Sequence, residues 1–390
     1  MKTIALKTES PRILIIKLKH IGDVLMATPA ISALRERFPN AHISMLVMKG
    51  TEEMVTANPK IDEVIIFNRF RENTLTQRII KEISFAFEIR KKKFDLIIEF
   101  GFGDREAIYG LISGAKLRIG FDPEGKGFIG REYTLTHRIS MDNSKHIVDR
   151  DMELVNLLGV SNRKRGLELY YLPEDVEFIE RILKENEIDE DDIIVLIHPT
   201  SRWLFKCWTD DGNAKVADYI ERKSSTKVII TSGPDIREIE KAEKIIGAME
   251  TRPISILGTL TLKQLAALID RADLFIGIDS APMHMAAALK TPVIAFFGPS
   301  GEHNWGPWGE GHNIIKKDMP CMPCGKAGCN DSKRSECLEA ITVKDVIPFL
   351  EDKISEIIDR KRGKAGSSIL KNMKESRNIT KSQKAKMTEV

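Results

Sequence analysis

The sequence predicts an α/β protein with two parallel β-sheets, one in each of two domains. From Arg12 onward, short apolar and β-branched runs alternate with longer amphipathic stretches, which is the pattern of parallel strands joined by crossover helices. The alternation begins afresh at Asp192, with the run DIIVLIH. A chain of 390 residues that is 42% apolar and 30% charged has room for about two or three domains with substantial cores. Disorder, collagen and coiled coil are therefore excluded as the main state.

The first half of the chain has the order strand, helix, strand throughout. Its apolar runs predict strands at Arg12–Lys17, His42–Met48, Glu63–Phe67 and Asp95–Phe100. Helical spacing between these runs predicts helices at Val24–Phe38, Thr51–Ala57 and Thr76–Lys92.

The second half repeats this organisation. Its predicted strands are Asp192–His198, Lys227–Thr231, Ile254–Leu257, Leu274–Ile278 and Val293–Phe297. Between the halves, Gly159–Asp175 combines turn formers, a basic cluster and a proline, which is typical of an interdomain link. We therefore predict a first domain at 1–175 and a second at 176–345.

The C-terminal part is predicted to be one helix and then a disordered basic tail. Apolar residues recur at helical spacing over Thr342–Arg360, which gives a helix assigned to 346–362 in the domain division. Residues 363–390 have too few large apolar side chains to offset their ordering entropy. From Lys361 onward nine basic and two acidic residues give +7, so the rest of the chain, whose total is +3, carries −4.

The composition also predicts a cytoplasmic location. No apolar run reaches the roughly 18–20 residues needed to cross a bilayer, and the first residues lack the apolar core of a signal peptide. Five cysteines, an odd number, argue against a disulfide framework, so we expect reduced thiols.

The first candidate site follows the first strand, in the segment KLKHIGDV. Ligands of open α/β sheets bind at the carboxyl ends of strands, where this segment places Lys17, Gly22 and Asp23. Gly22 is expected to permit a tight turn, and Asp23 to begin the next helix, either as a plain helix cap or as a base facing a cleft. The single glycine disfavours a dinucleotide site, and the later run GFDPEGKG lacks the Ser or Thr of a P-loop.

The second candidate site follows the strand that ends at His198, in the segment HPTSRWLFKCW. Thr200 and Ser201 offer hydroxyls to phosphate oxygens, and Arg202 and Lys206 offer cations that suit a diphosphate. The alternative is a solvated loop that its two tryptophans anchor by packing.

The third candidate site follows the strand Leu274–Ile278. Ser280 is expected to cap a helix that begins near Pro282, and the free N–H groups of its first turn form an anion site for a phosphate. Asp279 is better suited to accept from sugar hydroxyls. His284 either faces the same ligand or is a structural histidine.

Four thiols lie close together near the end of the second half. Cys321, Cys324, Cys329 and Cys337 could hold Zn²⁺ or an iron–sulfur cluster, but only the first pair has a common metal-ligand spacing. Reduced thiols in a compact loop are the alternative, and we predict no metal at the candidate site.

Together the segments KLKHIGDVLMATPAISALRERFP, HPTSRWLFKCW, GIDSAPMHMAAALKTPVIAFFGPS and CMPCGKAGC resemble the ADP-heptose:lipopolysaccharide heptosyltransferases of glycosyltransferase family 9, in particular the heptosyltransferase III type. The likeness runs from about Arg12 to about Arg360. It implies a GT-B fold, in which two Rossmann-like domains with parallel sheets face a central cleft. The first domain would bind the acceptor and the second the nucleotide sugar.

The resemblance also implies an activity. It is the inverting transfer of heptose from ADP-L-glycero-D-manno-heptose to an inner-core heptose of lipopolysaccharide, without metal or cofactor. Asp23 would be the general base, and Lys17 would steady its loop or the leaving diphosphate. Donor contacts would come from Thr200, Ser201, Arg202, Lys206, Asp235, Asp279, Ser280, Met283 and His284. The expected partners are ADP-heptose and a lipid-linked core acceptor, with peripheral association at the cytoplasmic face of the inner membrane and no nucleic acid.

Two departures from the family concern small contacts and acceptor choice. Lys19 and His20 stand where some relatives have serines, and the loop between Arg202 and Lys206 is one residue longer than in the heptosyltransferase I type. Two other functions stay open, a transferase that uses another nucleotide sugar and a non-catalytic adaptor at the membrane face. A carboxylate at Asp23 argues against the adaptor, which needs no base.

Overall fold

The computed structural model describes residues 3–69, 74–160, 166–223 and 226–362. It contains two six-stranded sheets whose strands are all parallel, with helices between them, so the predicted α/β class is confirmed. The tail predicted at 363–390 lies outside the described residues. In the part of the chain that is described, no helix is both long and apolar enough to span a bilayer.

The first sheet has the strand order β3-β2-β1-β4-β5-β6. Its strands are β1 Arg12–Lys17, β2 His42–Met48, β3 Glu63–Phe67, β4 Leu96–Glu99, β5 Leu117–Phe121 and β6 His137–Ile139. Its helices are α1 Ile21–Met26, α2 Thr28–Arg37, α3 Leu75–Lys91, α4 Asp104–Ile112 and α5 Ile147–Asn156. This is the doubly wound order, in which the strand order reverses beside β1, so the crevice that takes ligands lies where β1 ends.

The second sheet repeats that order from its own first strand, as β12-β11-β10-β7-β8-β9. Its strands are β7 Ile193–His198, β8 Thr226–Ser232, β9 Ile254–Leu257, β10 Leu274–Ile278, β11 Val293–Phe296 and β12 Asn313–Ile315. Its helices are α6 Pro173–Glu185, α7 Asp210–Glu221, α8 Ile236–Gly247, α9 Leu262–Arg271, α10 Ala281–Leu289, α11 Glu302–Trp305, α12 Glu336–Glu339 and α13, residues 343–362. The strand order reverses between β7 and β10, which places the second candidate segment beside the third.

The helix predicted at Val24–Phe38 is two helices, α1 and α2, separated at Ala27. Pro29 has no N–H with which to bond the carbonyl of Leu25, and the Thr28 hydroxyl donates to that carbonyl instead, at 2.8 Å. The proline therefore starts a second helix rather than continuing the first.

The helix predicted at Thr51–Ala57 is wrong. The segment forms one 3₁₀ turn, Glu52–Met54, and its backbone reverses at Ala57, whose φ of 63° is incompatible with a right-handed helix. Met54 and Val55 are buried against the first domain's core, so tertiary packing holds the turn.

The last helix joins the second domain. The apolar side chains of α13, such as Val346 and Leu350, pack into the core cluster that contains Val195 and Val228 of the second sheet. The boundary predicted after residue 175 falls inside the continuous helix α6, which packs on α9. We propose that the second domain begins with α6.

Candidate active site

Helices α1 and α10 begin where β1 and β10 end, and they pack against each other across the two domains. They meet at Gly22, where a Cβ atom would lie 2.8 Å from Cδ2 of His284. Gly22 lies inside α1, so the expected role in a tight turn before the helix is wrong. Its missing side chain instead lets the second domain approach the first.

Asp23 is the third residue of α1 and is half-buried at this approach. Its Oδ2 accepts a hydrogen bond from the backbone N–H of His20 at 3.2 Å, so the helix-cap contact is present. Within the described residues Oδ1 accepts no hydrogen bond. The carboxylate therefore caps α1 through only one of its two oxygens.

Lys17 is buried and does not face the cleft. Its Nζ lies 2.7 Å from Oδ2 of Asp151 on α5, and the two side chains are 1% and 0% exposed. Burial raises the pKa of Asp151, and the Lys17 ammonium opposes that rise. This position suits the expected role of steadying the loop after β1, while contact with a diphosphate is not supported.

Glu106 on α4 is a second support for the loop after β1. Its two carboxylate oxygens accept from the backbone N–H groups of Leu18 at 2.9 Å and Gly103 at 2.8 Å, and the residue is fully buried. Glu106 and Asp151 were not among the predicted site residues. Asp151 could have been found because it shares a helix face with the apolar Val148, which signals a buried charge.

The two hydroxyls that were predicted to contact the nucleotide sugar make hydrogen bonds within the second domain. Thr200 is fully buried and donates to Oε2 of Glu238 at 3.2 Å. Oγ of Ser201 accepts from the N–H of Trp203 and donates to its carbonyl, each at 3.1 Å. Glu238 was also not among the predicted site residues. Burial, the largest effect, raises its pKa.

Arg202 reaches across the cleft to the first domain. It is exposed, its Nη2 lies 3.4 Å from Nδ1 of His20, and its guanidinium lies over the ring of Trp203. The same tryptophan meets the imidazole of His20 edge-on, with ring centroids 5.2 Å apart. His20, a departure from the serines of some relatives, is therefore a cleft residue, and burial lowers its pKa.

Lys206 and Asp279 form an ion pair. Lys206 was predicted to contact a diphosphate and Asp279 to contact sugar hydroxyls. Nζ of Lys206 lies 2.6 Å from Oδ2 of Asp279, and the side chains are 16% and 9% exposed. The ammonium has three donors, so it can hold Asp279 and still contact a ligand. The pair joins the second candidate segment to the third.

The prediction that the Ser280 side chain caps α10 is wrong, because Ser280 precedes the helix but makes no capping hydrogen bond. Its Oγ is buried and has no hydrogen-bond partner among the described residues. Pro282 at the second helical position removes one of the two N–H groups that such a cap could use. The side chain of Met283 is fully buried in the core, so only its backbone N–H is available at the helix start.

His284 is where the three candidate segments converge. It is 4% exposed, and its Nδ1 has no hydrogen-bond partner among the described residues. Burial, the largest effect, lowers its pKa, while the charges of Asp279 and Asp23 raise it and that of Lys206 lowers it. A carboxylate of the first domain and an ion pair of the second thus act on one imidazole.

Asp235 caps a different helix. Its carboxylate accepts from the backbone N–H of Arg237 at 3.0 Å and pairs with the Arg237 guanidinium at 2.9 and 2.7 Å. These contacts lower the pKa of Asp235 to about 2. Its contact with a ribose stays a prediction.

The four clustered cysteines are all free thiols in this structure. Cys321 is exposed and Cys337 is buried, with Cys324 and Cys329 between these extremes. Within residues 3–362, apart from the short gaps, no three or more histidine, cysteine or acidic side chains are arranged to hold a metal ion.

Two sheets of the same doubly wound order meet at the carboxyl ends of their strands, with a carboxylate on one side and a cation beside a helix N-terminus on the other. This arrangement defines a glycosyltransferase of the GT-B fold. Residues 83–334 match glycosyltransferase family 9 (heptosyltransferase). The chain belongs to this family, as its resemblance implied.

Relatives and solved structures agree with this assignment. Lipopolysaccharide heptosyltransferase 3 of Escherichia coli (strain K12) is 31% identical over 302 residues, 77% of this chain and 85% of that protein. Lipopolysaccharide core heptosyltransferase OpsX of Haemophilus influenzae is 29% identical over 309 residues, 79% of this chain and 85% of that protein. A family 9 glycosyl transferase from Veillonella parvula superposes with a TM-score of 0.75 at 25% identity, covering 89% of this chain and 97% of that one. E. coli heptosyltransferase WaaC with ADP shares the fold, with a TM-score of 0.69 at 18% identity over 88% of this chain and 99% of its own.

Proposed function

We propose that this enzyme transfers heptose from ADP-L-glycero-D-manno-heptose to an inner-core heptose of lipopolysaccharide, with inversion and with Asp23 as general base. The names of its relatives support the acceptor, since both act on lipopolysaccharide or its core. The donor is supported by the ligand of a solved structure of the same fold, E. coli heptosyltransferase WaaC with ADP-2-deoxy-2-fluoro heptose.

One observation carries the proposal. The charges of Asp23 from the first domain and of the Lys206–Asp279 pair from the second both act on the same buried imidazole, His284. A transferase needs a base for the acceptor hydroxyl and a cation for the leaving diphosphate on opposite sides of one sugar carbon. The contact between Gly22 and His284 brings these groups together.

The proposed reaction is a single displacement. Oδ1 of Asp23 takes the proton of the acceptor hydroxyl as its oxygen bonds to the anomeric carbon of the donor. The bond from that carbon to the diphosphate oxygen breaks on the opposite face, and ADP leaves with the electron pair. Lys206 and the free N–H groups at the start of α10 stabilise the charge that develops on the diphosphate.

The acceptor proposed here is anchored in a membrane, so the enzyme would work in the cytoplasm at the inner-membrane face. The net charge of +7 after Arg360 would attract an anionic leaflet, at about 1 kcal/mol for each basic residue near the surface. The tail therefore supports peripheral association without taking part in the chemistry.

A product assay tests the proposal. The purified chain is incubated with ADP-heptose and a core oligosaccharide that lacks the outermost inner-core heptose, and the products are analysed by mass spectrometry. We expect the acceptor to gain one heptosyl residue with release of ADP, and ADP but not UDP to inhibit. Transfer from a UDP-sugar instead would overturn the donor assignment, and tight ADP binding without any transfer would favour the adaptor.

A further inference from the structure

Helix α3 of the first domain presents an apolar stripe to solvent. Leu75, Ile79, Ile83 and Phe87 recur every four residues and are 70%, 48%, 51% and 57% exposed, and Ile80 beside them is 65% exposed. Residues four apart share one helix face, so these side chains form a continuous surface. These five are among only seventeen large apolar residues that are exposed in the described chain, and such clustering marks a contact surface.

Neighbouring elements extend the stripe. Helix α4 packs against α3 and exposes Ile108 and Leu111 at 40% and 49%. The loop beside the start of α4 adds Ile129, which is fully exposed. This loop is close to α4, because a Cβ on Gly127 would approach Oδ1 of Asp104 to 2.5 Å. We call the surface formed by Leu75, Ile79, Ile80, Ile83, Phe87, Ile108, Leu111 and Ile129 the α3–α4 apolar face.

The part of the α3–α4 apolar face that α3 contributes lies in a strongly basic segment. Between residues 69 and 93, the described residues include seven basic side chains and two acidic ones, a net charge of +5. The chain up to Arg360 carries −4 in all, so this segment is basic against an acidic background. Apolar side chains combined with Lys and Arg are typical of helices that lie in the interface of an anionic bilayer.

A cavity of about 630 Å³ lies between this face and the loop after β1. Its lining includes Ile83 and Ile108 of the apolar face. It also includes three cations and three carboxylates, which are Lys19, Arg69, Arg105, Glu82, Asp104 and Glu106. Lys19 belongs to the loop that leads from β1 to Asp23. A group that enters from the α3–α4 apolar face would therefore arrive at the loop that leads to the proposed base.

We propose that the α3–α4 apolar face docks onto an anionic lipid bilayer and admits the head of a lipid-linked acceptor through this cavity. The proposal rests on the proposed function in one respect, that the acceptor is anchored in a membrane. Charge favours this occupant over two others. A second copy would oppose two segments of +5, and the chain's own tail is itself basic, so both would be repelled.

Sedimentation with vesicles tests the proposal on the full chain. Vesicles of phosphatidylcholine alone are compared with vesicles that also contain phosphatidylglycerol, at low and high salt. The variant Leu75→Gln/Ile79→Gln removes two apolar side chains from the face without touching the cavity lining, and we expect at least about tenfold weaker binding to the anionic vesicles. The matched control is Ile236→Gln on α8, which is 63% exposed on the other domain and should bind as the parent does. Truncation after Arg362 removes the tail and so measures how much the tail contributes to vesicle binding.

Three outcomes would overturn the proposal. One is equal vesicle binding by the parent and the double variant, and another is complete loss of binding on truncation alone. The third is light scattering that shows a parent dimer which the double variant dissociates, because a second copy would then cover the face. Thermal melting shows whether the double variant is folded. If it is not, the vesicle experiment is repeated with Phe87→Gln. Transfer to a soluble oligosaccharide acceptor should stay unchanged in the variants, so a failure of docking is distinguishable from a failure of the proposed function.

Discussion

Gly22 of the first domain faces the imidazole of His284 in the second so closely that a methyl group on Gly22 would come within 2.8 Å of Cδ2. This contact joins the helices that follow the central strands of the two sheets. Asp23 is the next residue, so the position of the proposed base relative to the second domain depends on the absence of one side chain.

We expect Gly22→Ala to open this contact and to reduce turnover. An overpacked methyl group costs about 1–3 kcal/mol, and here the displaced part is the wall of the candidate site. Removing the ring in Gly22→Ala/His284→Ala should restore part of the lost stability in a thermal unfolding experiment, although not the activity. The control is Gly247→Ala at the end of α8, where a Cβ would meet nothing within 4 Å. If Gly22→Ala is as harmless as this control, the domains do not meet as described.

Asp23→Asn should lower the turnover number by about 10²–10⁴-fold while leaving ADP affinity nearly unchanged, because the amide keeps a capping oxygen but cannot take a proton. Asp175→Asn is a matched control, since Oδ2 of Asp175 accepts from the N–H of Leu172 at 2.9 Å in the same helix-cap geometry on α6. Turnover and calorimetric ADP titration are measured on both. A loss of less than about tenfold, or an equal loss in the control, would leave Asp23 as a cap alone.

The pairing of Lys206 with Asp279 predicts different effects of the two substitutions. Lys206→Ala removes a charge-assisted contact to the diphosphate, worth about 1.5–3 kcal/mol, so ADP affinity should fall by about ten- to a hundredfold. Asp279→Asn leaves the ammonium for the diphosphate, so ADP should bind at least as tightly, while ADP-heptose loses a sugar contact. Calorimetric titration with both ligands distinguishes these effects. Lys215→Ala, from an exposed pair with Asp211, is the control, and equal ADP affinity in it and in Lys206→Ala would place the donor site elsewhere.

Glu99 at the end of β4 predicts a pH dependence of stability. Burial, followed by the charge of Glu106, raises the pKa of Glu99 from its ordinary 4.5 to about 8. Between these values the folded state holds a proton that the unfolded state has lost, so the free energy of unfolding falls as pH rises, by up to about 1.4 kcal/mol per pH unit. Glu99→Gln should remove this part of the slope in denaturant titrations between about pH 5 and pH 8. The exposed Glu185→Gln should keep the parent slope, and an unchanged slope in Glu99→Gln would mean that Glu99 is ionised in the folded protein.

The sequence by itself determined the two sheets and the three segments that follow their central strands. Buried parallel strands appear as short apolar runs, and ligand-binding segments come directly after them, so both are local in the chain. The strands β5, β6 and β12 were missed, since they are short or only partly buried. The 3₁₀ turn at Glu52–Met54 was predicted as a helix because its apolar spacing is helical, while the backbone reversal at Ala57 leaves no pattern in composition.

Only the tertiary structure decided which side chains meet. Lys17 and Asp151 are 134 positions apart, and Lys206 and Asp279 are 73 apart, so no local spacing links them. A cation after a strand looks the same in a sequence whether it is free for a ligand or paired with a carboxylate from another strand. The same holds for Gly22, whose need to be glycine comes from a histidine in the other domain. Such pairings depend on the packing of whole helices and sheets, which local periodicity does not encode.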